Sequence, residues 1–158
     1  MDARLTIVGA GPAGLALARE PQRRGLRSVL LERGRVGEAW ARQYGDLRLH
    51  VLAGAAALPG MPWSCASERF PSAPAMTAYL RAYAGRFVLD VSEGVTVQRA
   101  APVGDGHGTA GAAPAGPAPV GRMPTGPAPN GLGTAPGWRL DTERGSWLTE
   151  RLMMATGI

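Results

Sequence analysis

The chain contains no lysine: all 17 of its basic residues are arginine, set against 12 acidic ones for a net charge of +5. A basic balance raises nucleic acid as a partner. The arginines, however, are scattered from Arg4 to Arg151 without a sustained basic run, and aromatics make up only 6% of the chain. Such spacing supplies neither a phosphate-tracking groove nor stacking platforms, so no nucleic-acid partner is expected. The joint abundance of Arg, Ala, Gly and Pro fits GC-rich coding instead. Cysteine is nearly absent as well. Cys65 stands alone, which excludes an internal disulfide or a Cys-x-x-Cys redox pair and suits a cytoplasmic location. No apolar run reaches the ~18 residues of a membrane span. The apolar start is expected to be structure rather than a signal peptide, because Asp2 stands where a basic n-region would and Gly9, Gly11, Pro12 and Gly14 interrupt the run. With only two histidines, His50 and His107, neither a metal-ligand cluster nor a Ser-His-Asp constellation is found. No metal site and no catalytic side chain are expected.

What the chain does have is glycine (23) and proline (14) at particular places. A length of 158 residues leaves room for one domain with a core. Residues 4–8 (RLTIV) form a β-branched apolar run that predicts a buried strand. Residues 12–24 read as a helix, with Pro12 tolerated in its first turn and Arg23, Arg24 and Gly25 marking its end. Residues 28–32 (SVLLE) read as a second strand, and strand, helix and strand in about 30 residues predict a parallel crossover. Pro21 disturbs the helix, since an interior proline costs ~3 kcal/mol, and a kink or an end at Glu20 is expected.

Further on, residues 37–49 mix a short helix with an extended stretch, and residues 77–84 read as a helix carrying Tyr79, Leu80 and Tyr83 on one face. Residues 86–91 and 95–99 read as strands joined by a turn at 92–94. Residues 101–137 are almost all Gly, Ala, Pro, Thr and Val without apolar periodicity, which predicts a disordered low-complexity insertion. Strand character returns at 138–142 and 148–155, so the flanks of the insertion should pair as a hairpin with a long tip. Tyr44, Met153 and Met154 read as packing residues.

The chemistry lies in Gly9-Ala10-Gly11-Pro12-Ala13-Gly14, a G-x-G-x-x-G at a strand-to-helix junction. Gly9 permits the tight turn, Gly11 lets the backbone approach a pyrophosphate, and Gly14 lets helix and strand pack closely. Helix N-terminal amides then receive the anion. Glu32 closes the second strand roughly 20 residues on, where an acid accepts from ribose hydroxyls and repels a 2′-phosphate, disfavouring NADP there. A glycine-rich turn without a dinucleotide is the plain alternative.

Four segments, in order, resemble the class B flavin-dependent monooxygenases, including bacterial relatives of the plant auxin-synthesis enzymes and, less closely, the Baeyer–Villiger monooxygenases. They are VGAGPAGLALA with the following LLERG, then GEAWARQYGDLRLH, then FPSAPAMTAYLRAYAGRF, and finally MMATGI. The resemblance implies an α/β fold: a Rossmann-like FAD-binding domain with a parallel sheet and a small β-meander, incomplete, spanning 1–158 and interrupted at 101–137. It implies FAD as cofactor. Gly9, Gly11, Pro12, Ala13 and Gly14 would hold the pyrophosphate, Glu32 the adenosine ribose, and Arg33 would lie beside that ribose. Ala39, Trp40, Leu49 and His50 would run past the flavin, Val97 would face adenine, and Thr156 and Gly157 would return to the cofactor.

The family's reaction uses NADPH to reduce the flavin, which passes one atom of oxygen to a nucleophilic or carbonyl substrate. This chain departs from the family pattern in two respects. It has no second G-x-G-x-x-G on a strand–helix junction for NADPH, and no Phe-x-Gly-x-x-x-His motif. The expectation is therefore the FAD-binding portion of a monooxygenase, a small-molecule oxidoreductase not active alone. Alternatives are a non-enzymatic fragment, a partner-dependent subunit whose missing half lies on another chain, and an NAD-binding dehydrogenase domain. A disulfide reductase is disfavoured by the lone Cys65, since that chemistry needs paired thiols.

Overall fold

Among the described residues, nine elements build one six-stranded sheet with helices packed against it. The computed structural model describes residues 2–63, 69–103 and 137–157. Strand β1 (Asp2–Val8) leads into helix α1 (Pro12–Arg23), strand β2 (Ser28–Glu32), a short helix α2 (Glu38–Ala41) and helix α3 (Ala73–Arg86). Strands β3 (Asp90–Glu93), β4 (Val97–Val103), β5 (Gly137–Thr142) and β6 (Gly145–Met154) complete it. The sheet order is β3-β2-β1-β6-β5-β4. β1 pairs in parallel with both β2 and β6, and β3 adds in parallel to β2.

β2 is an unbroken apolar run with Val29, Leu30 and Leu31 all buried, as a central parallel strand covered on both faces should be. Two cores result. Ile7, Leu15, Ala18, Leu30, Met76, Leu80 and Tyr83 pack between the sheet and the helices. Val8, Val29, Leu31, Val95 and Leu140 form a second cluster. The expected β-meander is present, since β4, β5 and β6 pair antiparallel in succession. The flanks of the low-complexity segment do pair, but residues 101–103 and 137 belong to β4 and β5. The rest of that segment, 104–136, lies outside the described residues, as do Cys65 and His107.

Three expectations need correction. First, α1 does not stop at Glu20: it runs through Pro21 to Arg23. The proline falls in the last turn, and its carbonyl accepts from the N–H groups of Arg24 and Leu26 at 2.9 and 3.0 Å. Second, residues 86–91 are not a strand paired with 95–99. Residue 86 ends α3, and β3 and β4 occupy opposite edges of the sheet. The turn at Gly94 exists, but its amide bonds the Gly34 carbonyl at 3.0 Å and Val95 bonds Glu32 at 2.8 Å. These bonds tie the turn to the end of β2 rather than to a hairpin. Third, Tyr44, Met153 and Met154 are exposed and fill no core. The α3 helix also begins earlier than the apolar periodicity indicates, because Ser72 caps it and Pro74 sits in its first turn.

Candidate functional site

β1, β2 and β6 all end at the same edge, and the chain must turn sharply there to enter α1. Gly9 makes that turn at φ +103°, in the left-handed region where side chains are strained. Its amide bonds the Leu31 carbonyl at 2.8 Å, while Ala155 bonds Val8 at 2.8 Å, so the turn is strapped to both neighbouring strands. A Cβ on Gly9 would strike the Ala155 carbonyl, and one on Gly14 would enter the Gly9 carbonyl oxygen. Both glycines are therefore demanded by the fold itself.

Gly11 is different. It is the N-cap of α1, at φ −76° and ψ −173°, and a Cβ there would meet nothing within 4 Å. No side chain caps this helix, so its first amides lack an intrahelical partner and present partial positive charge. They open into a cleft of about 630 Å³, within the roughly 300–1,000 Å³ of small-molecule sites.

Of the residues expected in the site, Gly9, Gly11, Pro12, Ala13, Glu32, Arg33, Ala39, Trp40, Val97, Thr156 and Gly157 line this cleft. Gly14 stands behind the turn. Leu49 and His50 do not border the cleft. The backbone of 47–49 is drawn to the start of α3, where Leu49 bonds the Pro71 carbonyl at 2.8 Å and Ala73 bonds Leu47 at 2.9 Å. Leu49 there packs against the helical core, and His50 faces solvent.

Glu32 is already engaged. Its two carboxylate oxygens accept from the Ala10 amide at 2.8 Å and the Gly34 amide at 2.9 Å. An ionised carboxylate offers about four acceptor positions, so two remain for a diol. The bond to Ala10 clamps the fingerprint turn from the neighbouring strand.

The second wall comes from α2. Gly37, at φ +76°, caps it in the left-handed region, and Trp40 reaches from the cleft onto the helical core. Arg35, Gly37, Glu38 and Gln43 also line the cleft. Glu38 accepts from the Arg35 amide at 2.7 Å and pairs with Arg42. The amide of Arg35 first, then Arg42, hold this carboxyl below its usual value of 4.5. A third wall is formed by Val95, Thr96 and Val97. The Thr96 amide bonds Glu143 in the β5–β6 turn at 2.8 Å, which keeps the Glu143 carboxyl below the ordinary range.

Reading the motifs alone missed Arg35, Glu38, Gln43 and Thr96, all of which lie within three residues of positions it did mark. Among the described residues no cluster of His, Cys, Asp or Glu could hold a metal ion, and no helix is long and apolar enough to cross a membrane.

Comparison with known proteins adds to this geometry. The family model described as pyridine nucleotide-disulphide oxidoreductase matches residues 6–108. The probable indole-3-pyruvate monooxygenase YUCCA4 of Arabidopsis thaliana is 38% identical over 96 residues, covering 60% of this chain and 23% of that protein. The chain thus spans about a quarter of the length of the curated relatives it matches. Among solved structures, bacillithiol disulfide reductase Bdr from Staphylococcus aureus superposes with a TM-score of 0.73 at 18% identity, covering 99% of this chain and 39% of that one. A flavin-containing monooxygenase from Stenotrophomonas maltophilia gives 0.70 at 23% identity, covering 99% and 38%. These two structural likenesses are likenesses of fold.

Proposed function

Because the chain belongs to the pyridine nucleotide-disulphide oxidoreductase family, we propose that it binds FAD in the cleft at the α1 N-terminus as the FAD-binding portion of a flavin-dependent monooxygenase. One observation carries this reading. The uncapped amides of α1, the open approach at Gly11 and the Glu32 carboxylate all meet in a single nucleotide-sized cleft. The residues present fit the cofactor: amides and helix dipole for a diphosphate, and spare acceptor positions on Glu32 for ribose hydroxyls. Gly9, Gly11, Pro12, Ala13, Glu32, Arg33, Ala39, Trp40, Val97, Thr156 and Gly157 are the residues assigned to it, with Gly14 supporting the turn. When bound, the flavin supplies the redox chemistry. The chain contributes binding, orientation and a wall against water.

Monooxygenase chemistry is favoured over disulfide reduction by the sequence match to an indole-3-pyruvate monooxygenase. In this reading NADPH, the hydride donor, is held outside these 158 residues, by a further segment or another chain. This chain alone then takes up FAD without consuming NADPH. The presence of a single cysteine within these residues is in keeping with a cytoplasmic setting.

The test is a visible spectrum of the purified chain, where bound flavin gives bands near ~370 and ~450 nm. A folded chain that stays colourless after incubation with FAD would overturn the cofactor assignment. Steady NADPH oxidation by the FAD-loaded chain alone would overturn the assignment of the hydride-donor site elsewhere.

A further inference from the structure

The α2 wall of the cleft has little of its own to hold it in place. It is one helical turn with no buried residue, and isolated turns of that length do not persist in water. Trp40 packs on the helical core, and Val36, buried just ahead of the turn, donates its amide to Glu93 at 2.8 Å; α3 adds two further bonds. Thr77, buried in α3, shares its single hydroxyl proton between the Ala73 carbonyl one turn back at 3.0 Å and the Gly37 carbonyl at 3.2 Å. Four residues on, along the same helix face, the Arg81 guanidinium donates to the Val36 carbonyl at 3.1 Å. The Gly37 carbonyl that meets Thr77 is also the acceptor that starts α2, taking the Trp40 and Ala41 amides at 3.1 Å each. Glycine at 37 is what lets the two backbones come so near, since a Cβ would lie 3.2 Å from the Thr77 backbone.

We propose that Thr77 and Arg81 form a two-point latch on the carbonyls of Gly37 and Val36, and are positioning residues that hold α2, with Trp40, against the ligand cleft. Neither side chain lines the cleft. Thr77 acts through the carbonyl of Gly37, which lines the cleft, and Arg81 through that of Val36 just before it. The role in ligand binding rests on the FAD reading above, whereas the latch itself is a property of the ligand-free chain.

Hydrogen exchange of the ligand-free chain reads the latch directly. Loss of one such hydrogen bond shifts the docked–undocked balance by roughly 3- to 10-fold. The α2 amides from Trp40 to Gln43 should exchange faster by that factor in Thr77→Val and in Arg81→Met, with the β1 and β2 amides unchanged. Thr77→Ser and Arg81→Lys, which keep a donor, should stay within about twofold of the parent. FAD affinity, read from quenching of tryptophan fluorescence, should fall by no more than the same factor, because undocking sets the ceiling.

Arg81 is exposed, so Arg81→Met folds even if Thr77→Val does not. The proposal is overturned if the α2 amides keep their parental rates in the donor-lacking variants. It is equally overturned if all amides accelerate together, or if Ser and Lys fail to restore the parental rates. A parent chain that does not take up FAD would sink the cofactor reading and leave the exchange comparison to decide the latch.

Discussion

Substituting Gly11 and Gly14 separately by alanine should split ligand binding from folding. At Gly11 the backbone angles are ones alanine adopts freely, and the new methyl meets no protein atom within 4 Å. Alanine restricts the unfolded chain, a gain of about 0.4–1 kcal/mol, and gives up the modest preference for glycine at an N-cap, a loss of similar size. The two nearly cancel, so Tm should stay within roughly 2 °C of the parent. A ligand that approaches the backbone at Gly11 meets that methyl. Overpacking of one methyl costs about 1–3 kcal/mol, which is a 5- to 150-fold weaker Kd for FAD.

At Gly14 the same methyl would enter the Gly9 carbonyl oxygen. A backbone oxygen cannot swing away as a long side chain can. The helix must back off the turn, and a net loss on the order of 2 kcal/mol is expected after the ~1 kcal/mol propensity gain of alanine. FAD titration by fluorescence and thermal unfolding of both variants decide the matter. A Gly11→Ala chain that is folded and binds FAD within twofold of the parent would refute the reasoning. So would a Gly14→Ala chain as stable as the parent.

Val88 sits at φ +48° and is 82% exposed, at the αL position that closes α3, where its amide bonds Gly85 and that of Leu89 bonds Ala84. Val88→Gly should raise stability by about 1 kcal/mol in a denaturant melt, as the left-handed penalty of an L-residue exceeds the added chain entropy. The Tyr79 hydroxyl joins the Leu58 amide (2.7 Å) to the Met61 carbonyl (2.6 Å). Tyr79→Phe leaves both without that partner and should cost about 1–3 kcal/mol. Burial raises the Tyr79 and Tyr83 phenols above their ordinary 10.0. The folded form keeps both protons where the unfolded form loses them, so unfolding midpoints should hold below pH 10 and fall as pH climbs beyond it. Glu38 and Glu143 are shifted the other way by the amides of Arg35 and Thr96. Their contribution is present above the ordinary value of 4.5 and disappears as pH falls through their lower folded values. Glu143→Ala should therefore flatten the acid limb of the stability profile.

How far these features could be read in advance depends on the range over which each is determined. The β1-α1-β2 unit was plain because every signal in it is local: a β-branched run, glycines at fixed offsets, a proline in the first turn, an acid ending the next strand. Pairing of β3 was not plain. Residues 86–95 carry extended character, but nothing in them says that the partner is β2 at one edge rather than the meander at the other. Pairing partners are chosen by tertiary contacts such as Val95 to Glu32 and Gly94 to Gly34. The beginning of α3 was hidden for the opposite reason: two prolines around Ser72 suggest a loop, although one of them suits a helical first turn.

The candidate site divides along the same line. Its fingerprint wall is encoded within a few residues, so Gly9, Gly11, Pro12 and Ala13 could be named beforehand. Its α2 wall is encoded only in part where it lies: Ala39 and Trp40 stand in a recognisable motif, but their placement also draws on distant residues. The position of Trp40, Glu38 and Gln43 follows from Thr77 and Arg81, some forty residues on, and that of Thr96 follows from Glu143 in a turn beyond the insertion. Leu49 and His50 show the converse. Their motif was recognisable, yet hydrogen bonds to 71–73 carry them away from the cleft. Glu32 unites the two cases: its place at the end of β2 was legible, but its grip on the Ala10 amide was not. That grip holds the fingerprint turn in shape without a ligand, so under the FAD proposal less ordering remains to oppose binding. Preorganisation of this kind arises where two local signals meet in space, and neither segment discloses it alone.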